Sequence, residues 1–142
     1  MVRGPLGRLS WSRLDGDTWT FFAGFPSGST NAAPALAAYN GKLYCVVRGS
    51  KDNTHLFWST FDGSTWSSFT EFPSGTTHMA PSLTVLNGKL YCAVHGSGNE
   101  NLYIASFDGT QWSSFSQIPS AISWTAPAIA AYNDKLYCVH RR

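Results

Sequence analysis

The sequence predicts an all-β fold, a β-propeller of four-stranded antiparallel blades with about three blades per chain, and three observations carry that prediction. Three unrelated markers recur in one register: the pairs Asp15-Gly16, Asp62-Gly63 and Asp108-Gly109, the tryptophans Trp19, Trp66 and Trp112, and the cysteines Cys45, Cys92 and Cys138. Each column steps by 47 residues and then by 46, within the roughly 40 to 50 residues expected of propeller blades. Short apolar runs alternate with turn signals inside every repeat, which spells strands rather than helices.

Taken in chain order, the clearest repeat begins with Ala33 to Tyr39, strand A, running into Asn40-Gly41. That dipeptide suits a type I′ hairpin because both central residues must adopt positive φ. Lys42 to Arg48 returns as strand B. The polar loop from Gly49 to His55 follows, then Leu56 to Phe61 as strand C, a turn at Asp62-Gly63, and Ser64 to Phe69 as strand D. Strand B reads Leu43-Tyr44-Cys45-Val46-Val47, apolar on both faces, as expected of a sheet sandwiched between neighbours. Pro34, Pro81 and Pro127 stand at the head of strand A, where a missing ladder donor is tolerated.

The same reading places a C-D half blade at 8–22, complete blades at 33–69 and 80–115, and an A-B half blade at 126–142, all in one domain over 1–142. Val2-Arg3-Gly4 resembles Val47-Arg48-Gly49 and reads as a leftover or competing end of strand B. Half blades carry unpaired strand edges, which proteins rarely leave open, and three blades make too tight a ring. The expectation is therefore a homo-oligomer in which A-B of one chain completes C-D of another, a six-bladed dimer with closed symmetry. Larger rings, a less regular association, or an excised or engineered piece of a longer propeller are the alternatives.

Of the 142 residues, 13% are charged and 15% aromatic, and the net charge is +2. No basic field of the kind that draws nucleic acid or a membrane surface is present, so neither is expected as a partner. No run approaches the roughly 20 apolar residues of a membrane span, and the segment from Met1 to Trp11 lacks the apolar core of a signal peptide. The expectation is a soluble chain, cytoplasmic or released by a leaderless route. The cysteines share the tripeptide seen in Leu43-Tyr44-Cys45; they are copies of one core position rather than a disulfide framework or metal cluster.

Because strand direction alternates, the B-C and D-A loops share one rim, and the more varied loops are where ligands are expected. Three columns fall there. Arg48, His95 and Arg141 end strand B, Asn31, His78 and Trp124 precede strand A, and Trp11, Trp58 and Ile104 occupy the start of strand C. Planar donors beside aromatic faces suit sugar hydroxyls and the apolar face of a pyranose. The candidate sugar-binding residues are Arg48, Trp58, Trp11, Arg141, Trp124, His95, His78 and Asn31. The competing structural reading makes Trp11 and Trp58 inter-blade packing and leaves Arg48 and Arg141 as solvated strand ends.

Asp15, Asp62 and Asp108 precede turn glycines and read as turn caps, with Trp19, Trp66 and Trp112 wedged between sheets. The remaining carboxylates, Asp17, Asp52, Glu71, Glu100 and Asp134, stand at unrelated repeat positions and form no recurring pair of the kind glycoside hydrolysis needs. Phosphate-loop and nucleophile-elbow patterns do not occur in the sequence, and the four histidines are scattered. Neither catalysis nor a cofactor is expected.

The segment Ala33-Pro34-Ala35-Leu36-Ala37-Ala38-Tyr39-Asn40-Gly41-Lys42-Leu43-Tyr44-Cys45, with Leu56 to Trp66 as its second half, resembles blades of sugar-binding β-propeller lectins from bacteria and fungi. The Asp-Gly-x-x-Trp turn is also similar to the Asp-box of sialidases, although Ser59-x-x-Asp62-Gly63-x-x-Trp66 departs from the usual spacing of Ser-x-Asp-x-Gly-x-x-Trp. The resemblance covers nearly the whole chain. It implies pockets between adjacent blades, small sugars such as fucose as ligands, and multivalence through ring assembly. It also implies that Arg48 and Arg141 hold hydroxyls with Trp58 and Trp11 as stacking partners, while His95 and Ile104 depart from the pattern. The other function class is a structural or protein-interaction propeller without sugar binding.

Overall fold

A computed structural model describes residues 7–142 and shows an all-β propeller segment of fourteen strands. The reading of Val2-Arg3-Gly4 as a strand end lies outside the described residues. Two complete blades are antiparallel sheets. The first orders β5 (Ala35–Tyr39), β6 (Lys42–Arg48), β7 (His55–Phe61) and β8 (Thr70–Thr76) side by side; the second does the same with β9 (Ser82–Leu86), β10 (Lys89–His95), β11 (Asn101–Phe107) and β12 (Ser116–Ile122). Before them, β1 (Arg8–Trp11) pairs with β4 (Ala23–Ser29), and a small hairpin of β2 (Leu14–Asp15) and β3 (Thr18–Trp19) sits between; after them, β13 (Ala128–Tyr132) pairs with β14 (Lys135–Val139). The A strands β5, β9 and β13 touch in succession, which makes them the inner strands of the propeller. Small side chains recur on β5 and β13, as in Ala35, Ala37, Ala130 and Ala131, which lets neighbouring sheets converge there.

The turns follow the residue chemistry. Asn40 and Gly41 take φ of 49° and 76°, Asn87 and Gly88 take 50° and 77°, and Asn133 and Asp134 take 50° and 63°, the both-positive pattern of a type I′ turn. Asp62 Oδ1 accepts the backbone N–H groups of Ser64 and Thr65 at 2.9 and 3.0 Å, and Asp108 Oδ1 those of Thr110 and Gln111 at 2.8 and 3.0 Å. Asp15 departs from them, taking a two-point ion pair from Arg13 at 2.8 and 3.0 Å. Hydrogen bonds from Thr65 and then Ser64 hold the Asp62 carboxyl below the ordinary carboxylate range, those from Gln111 and Thr110 do so for Asp108, and the Arg13 side chain does so for Asp15. A carboxyl depressed in the folded state stabilises it above the unfolded value of about 3.9, and that contribution is lost as pH falls through the lower folded value. The melting temperature should accordingly be level between about pH 7 and pH 5 and fall below about pH 4. A double variant, Asp62→Ala with Asp108→Ala, should melt lower at neutral pH and show a shallower acid limb in the same calorimetric series.

Strand alternation divides the core into layers between blades. On β6, Cys45 and Val47 face back into a cluster with Leu9, Phe25, Phe61 and Trp66, while Tyr44 and Val46 face forward into one with Leu90, Cys92, Val94, Phe107 and Trp112. Cys45 and Cys92 are therefore buried in different layers and unpaired, and Cys138 is half-buried. Burial alone pushes the Cys45 thiol up to about 12 and Cys92 higher still, which keeps both protonated and chemically quiet. Trp66 stacks on Phe25 at 4.4 Å between ring centres, and Trp112 on Phe72 at 4.4 Å. These tryptophans wedge between consecutive sheets as the sequence predicts, whereas Trp19 is exposed.

The outer strand corrects the sequence reading. Strand D is Thr70–Thr76 rather than Ser64 to Phe69, and its counterparts are Ala23–Ser29 and Ser116–Ile122. The segment after Asp62-Gly63 contributes one bridge, Phe61 to Trp66, and turns its aromatic side chain into the layer between blades. Only then does the chain return to pair Trp58 with Thr70, Phe57 with Glu71 and, after an irregularity, His55 with Thr76. The physical reason is that Trp66 gains more by burial against Phe25 than as a ladder residue. The bulge lets Pro73 and Gly75 occupy the blade edge, where no further strand requires their donors.

Candidate functional site

The same cleft forms twice, each time between the outer strand of one blade and the B-C loop of the next. Between the two complete blades it encloses about 280 Å³ and is lined by Ser74, Gly75, Thr76, Val94, Gly96, Ser97, Asn99, Tyr103 and Phe115. Between the first half blade and the first complete blade it encloses about 300 Å³, lined by Ser27, Gly28, Ser29, Val47, Gly49, Ser50, Asn53, Phe57, Ser68 and Phe69. Nine of these positions correspond one for one through the repeat.

Local chemistry explains the shape. Gly28 and Gly75 adopt φ of 93° and 95° in the outer-strand bulge; a Cβ on Gly28 would sit 2.5 Å from the Phe69 ring, and one on Gly75 would meet Phe115. The bare glycines therefore let an aromatic ring lie flat against the bulge and form one wall. At the loop, a Cβ on Gly49 would fall 2.5 Å from Asn53 Cγ, and one on Gly96 would fall 2.6 Å from both Asn99 Oδ1 and a Tyr103 ring carbon. Asn53 Oδ1 accepts the His55 N–H at 3.1 Å and Asn99 Oδ1 accepts the Asn101 N–H at 2.9 Å. Each carboxamide is thus fixed through its oxygen, and its NH₂ group is left as a donor. Thr76 and Ser97 join their hydroxyls across the blade boundary at 2.5 Å, and Ser74 Oγ accepts the Phe115 N–H at 3.3 Å. No charged side chain lines either cleft. Two aromatic faces, several hydroxyls and one amide make a surface for a neutral polar ligand.

None of the eight sequence-predicted residues is among those that line either cleft. Arg48 is buried and donates from Nη2 to the carbonyls of Lys51 and Asn53 at 2.6 and 3.1 Å, so its guanidinium ties down the loop that carries Asn53. His95, the same position one blade on, places Nδ1 2.9 Å from the Gly96 carbonyl and Nε2 2.7 Å from the Ser123 carbonyl. Arg141 is exposed; its carbonyl accepts from the Trp124 N–H at 2.8 Å and the Ser123 hydroxyl at 3.1 Å. Asn31, His78 and Trp124 are exposed on the rim. Trp58 stacks on Tyr44 at 6.0 Å and Trp11 packs on Phe61 at 4.8 Å, both within the layers between blades. The column that sequence reasoning missed is Asn53 and Asn99 with Phe57 and Tyr103. The signal was there in the recurring Gly-Ser start of the B-C loop followed by an asparagine. The loops differ in length by one residue, however, and the wall supplied by Ser27-Gly28 and Ser74-Gly75 looked like linker.

Among the described residues, no group of three or more His, Cys, Asp and Glu side chains gathers as a metal site, and no helix is long and apolar enough to cross a membrane. The chain has no match among curated proteins. A family model described as the DUF6242 beta propeller domain matches residues 8–142, spanning both half blades and both complete ones. Coverage of that extent, over a structure with the same blade architecture, places the chain in the DUF6242 beta propeller family.

Proposed function

We propose that this propeller is a carbohydrate-binding lectin whose pockets are the repeated inter-blade clefts. The observation that carries the reading is the recurrence of one uncharged constellation in two places: an aromatic pair, Tyr103 with Phe115 or Phe57 with Phe69, facing an oriented asparagine and a row of hydroxyls. An aromatic ring packs on the apolar face of a pyranose, and the amide and hydroxyls meet its hydroxyl groups. The absence of charge in the lining disfavours phosphate and carboxylate ligands. Each cleft is small enough for one monosaccharide unit, so the useful affinity comes from several clefts acting on one glycan surface. Arg48 and His95 serve the site from behind, by holding the B-C loop in its bound shape.

A glycan array followed by titration calorimetry with fucose and with the best array ligand tests this. Binding of two sugars per chain is the expected result. Asn53→Ala together with Asn99→Ala should weaken it by about tenfold or more, since a lost ligand hydrogen bond of about 1.4 kcal/mol is a factor of ten, with the far-ultraviolet spectrum unchanged. A folded protein that retains no glycan at millimolar sugar would sink the proposal.

A further inference from the structure

The large apolar side chains left open gather on two faces, and the repeat shows what each face is built to meet. Trp66 and Trp112 are 6% and 4% exposed beneath the preceding outer strand, whereas Trp19, at the same position, is 64% exposed. At the other end, Val46 is 0% exposed against the following blade and its counterpart Val139 is 70% exposed. Tyr132 and Tyr137 are open beside it, although Tyr39 and Tyr44, their counterparts, are buried. Leu36 is also open, on the side of the first complete blade that lies next to a hollow of about 220 Å³ walled by Trp11, Trp19 and Cys45.

We infer that a second copy of this chain covers both faces, with β14 of each copy pairing antiparallel to β1 of the other. The inner blades fix the register. Arg48 lies opposite Leu56, Val46 opposite Trp58 and Cys45 opposite Ser59, so Arg141 comes opposite Leu9, Val139 opposite Trp11 and Cys138 opposite Ser12 of the other copy. Tyr132, Tyr137 and Val139 then close over the Leu36 face. Trp19 settles on Ile118, which holds the place of Phe25 and Phe72. A second copy is the occupant because one chain carries both complementary halves, and a twofold exchange satisfies both at once without leaving an edge open. The exchange is independent of what the clefts hold; the third hollow it forms has Ser10 where Phe57 and Tyr103 stand, so it lacks their aromatic pair and is not one of the two sugar sites per chain. Phe22, the counterpart of Phe69 and Phe115, is exposed and would bring one aromatic wall to that hollow, whose other wall, Ser120 to Ile122, belongs to the other copy. Phe21 takes no part, since its counterparts Ser68 and Ser114 are exposed as well.

Light scattering on the unmodified chain should give twice the 15.5 kDa chain mass. Facing residues of an antiparallel pair lie roughly 4.5 to 5.5 Å apart at Cα, within disulfide reach. A Ser12→Cys variant should therefore link through Cys138 on mild oxidation and run at twofold mass without reductant, and adding Cys138→Ser should abolish the link. A monomeric mass, any multiple other than two, or a Ser12→Cys disulfide closed within one chain overturns the inference.

Discussion

Phe107→Ala is expected to be the most damaging core substitution, lowering unfolding free energy by about 3 to 5 kcal/mol. Phe107 is 1% exposed and its ring meets four others, Trp58 at 5.1 Å, Trp112 at 5.2 Å, Tyr44 at 5.5 Å and Tyr39 at 6.1 Å between centres. Three of the four partners, Tyr39, Tyr44 and Trp58, come from the preceding complete blade, and Trp112 from the blade of Phe107 itself. Removing the ring thus opens a cavity inside the layer that joins the complete blades and leaves Trp112 without one of its two aromatic supports. A chain of this size should lose about 10 °C or more in melting temperature. The matching change in the first half blade, Leu14→Ala, removes an exposed side chain and should cost under about 1 kcal/mol in a dilute, separated chain. Its cost should grow with protein concentration if copies associate, because association stabilises by mass action. Denaturant titrations at two concentrations read both effects, and a Phe107→Ala midpoint within experimental scatter of the parent would refute this account of the core.

Much of the fold was legible because each of its signals serves one local purpose. Asn40-Gly41 can only make a tight hairpin, and Leu43 to Val47, apolar at every position, can only lie between two sheets; both inferences stand in the structure. The outer strand was not legible. Thr70 to Thr76 contains Pro73 and Gly75, which argue against a strand wherever a ladder continues on both sides, and the exception at an edge is visible only once the sheet order is known. Ser64 to Phe69 carries the aromatic residues that normally mark a strand, but the energy of Trp66 and Phe69 lies in contacts with Phe25 in another sheet. The candidate site suffered from the same non-locality. Arg48 reads as a free guanidinium beside a loop, whereas two carbonyls of that loop fold back onto it. The cleft walls come from segments about 20 to 40 residues apart, so no window of sequence contains the site.

Gly75→Ala should have the second-largest effect, and the third repeat shows what the substitution does to the backbone. The position is Gly28 in the first outer strand, Gly75 in the second and Ala121 in the third. Where glycine is present, it carries the positive φ itself, at 93° or 95°; where alanine is present, the positive φ moves to the preceding residue, Ser120, at 62°. A side chain at this position therefore shifts the bend by one residue. In the second repeat that shift would be resisted by Phe115, whose ring occupies the space a Cβ needs. Either the alanine holds the left-handed conformation at about 1 to 2 kcal/mol, with the ring pushed away, or the bulge rebuilds in the Ser120 form and the wall moves. Both routes displace Phe115 and spoil the cleft between the complete blades while leaving the one between Gly28 and Phe69 intact. The expected result is a stability loss of about 1 to 2 kcal/mol and, for the proposed sugar ligand, a drop from two sites per chain to one. Unchanged stability together with unchanged stoichiometry would show that the glycine neither bears the bend nor seats the ring.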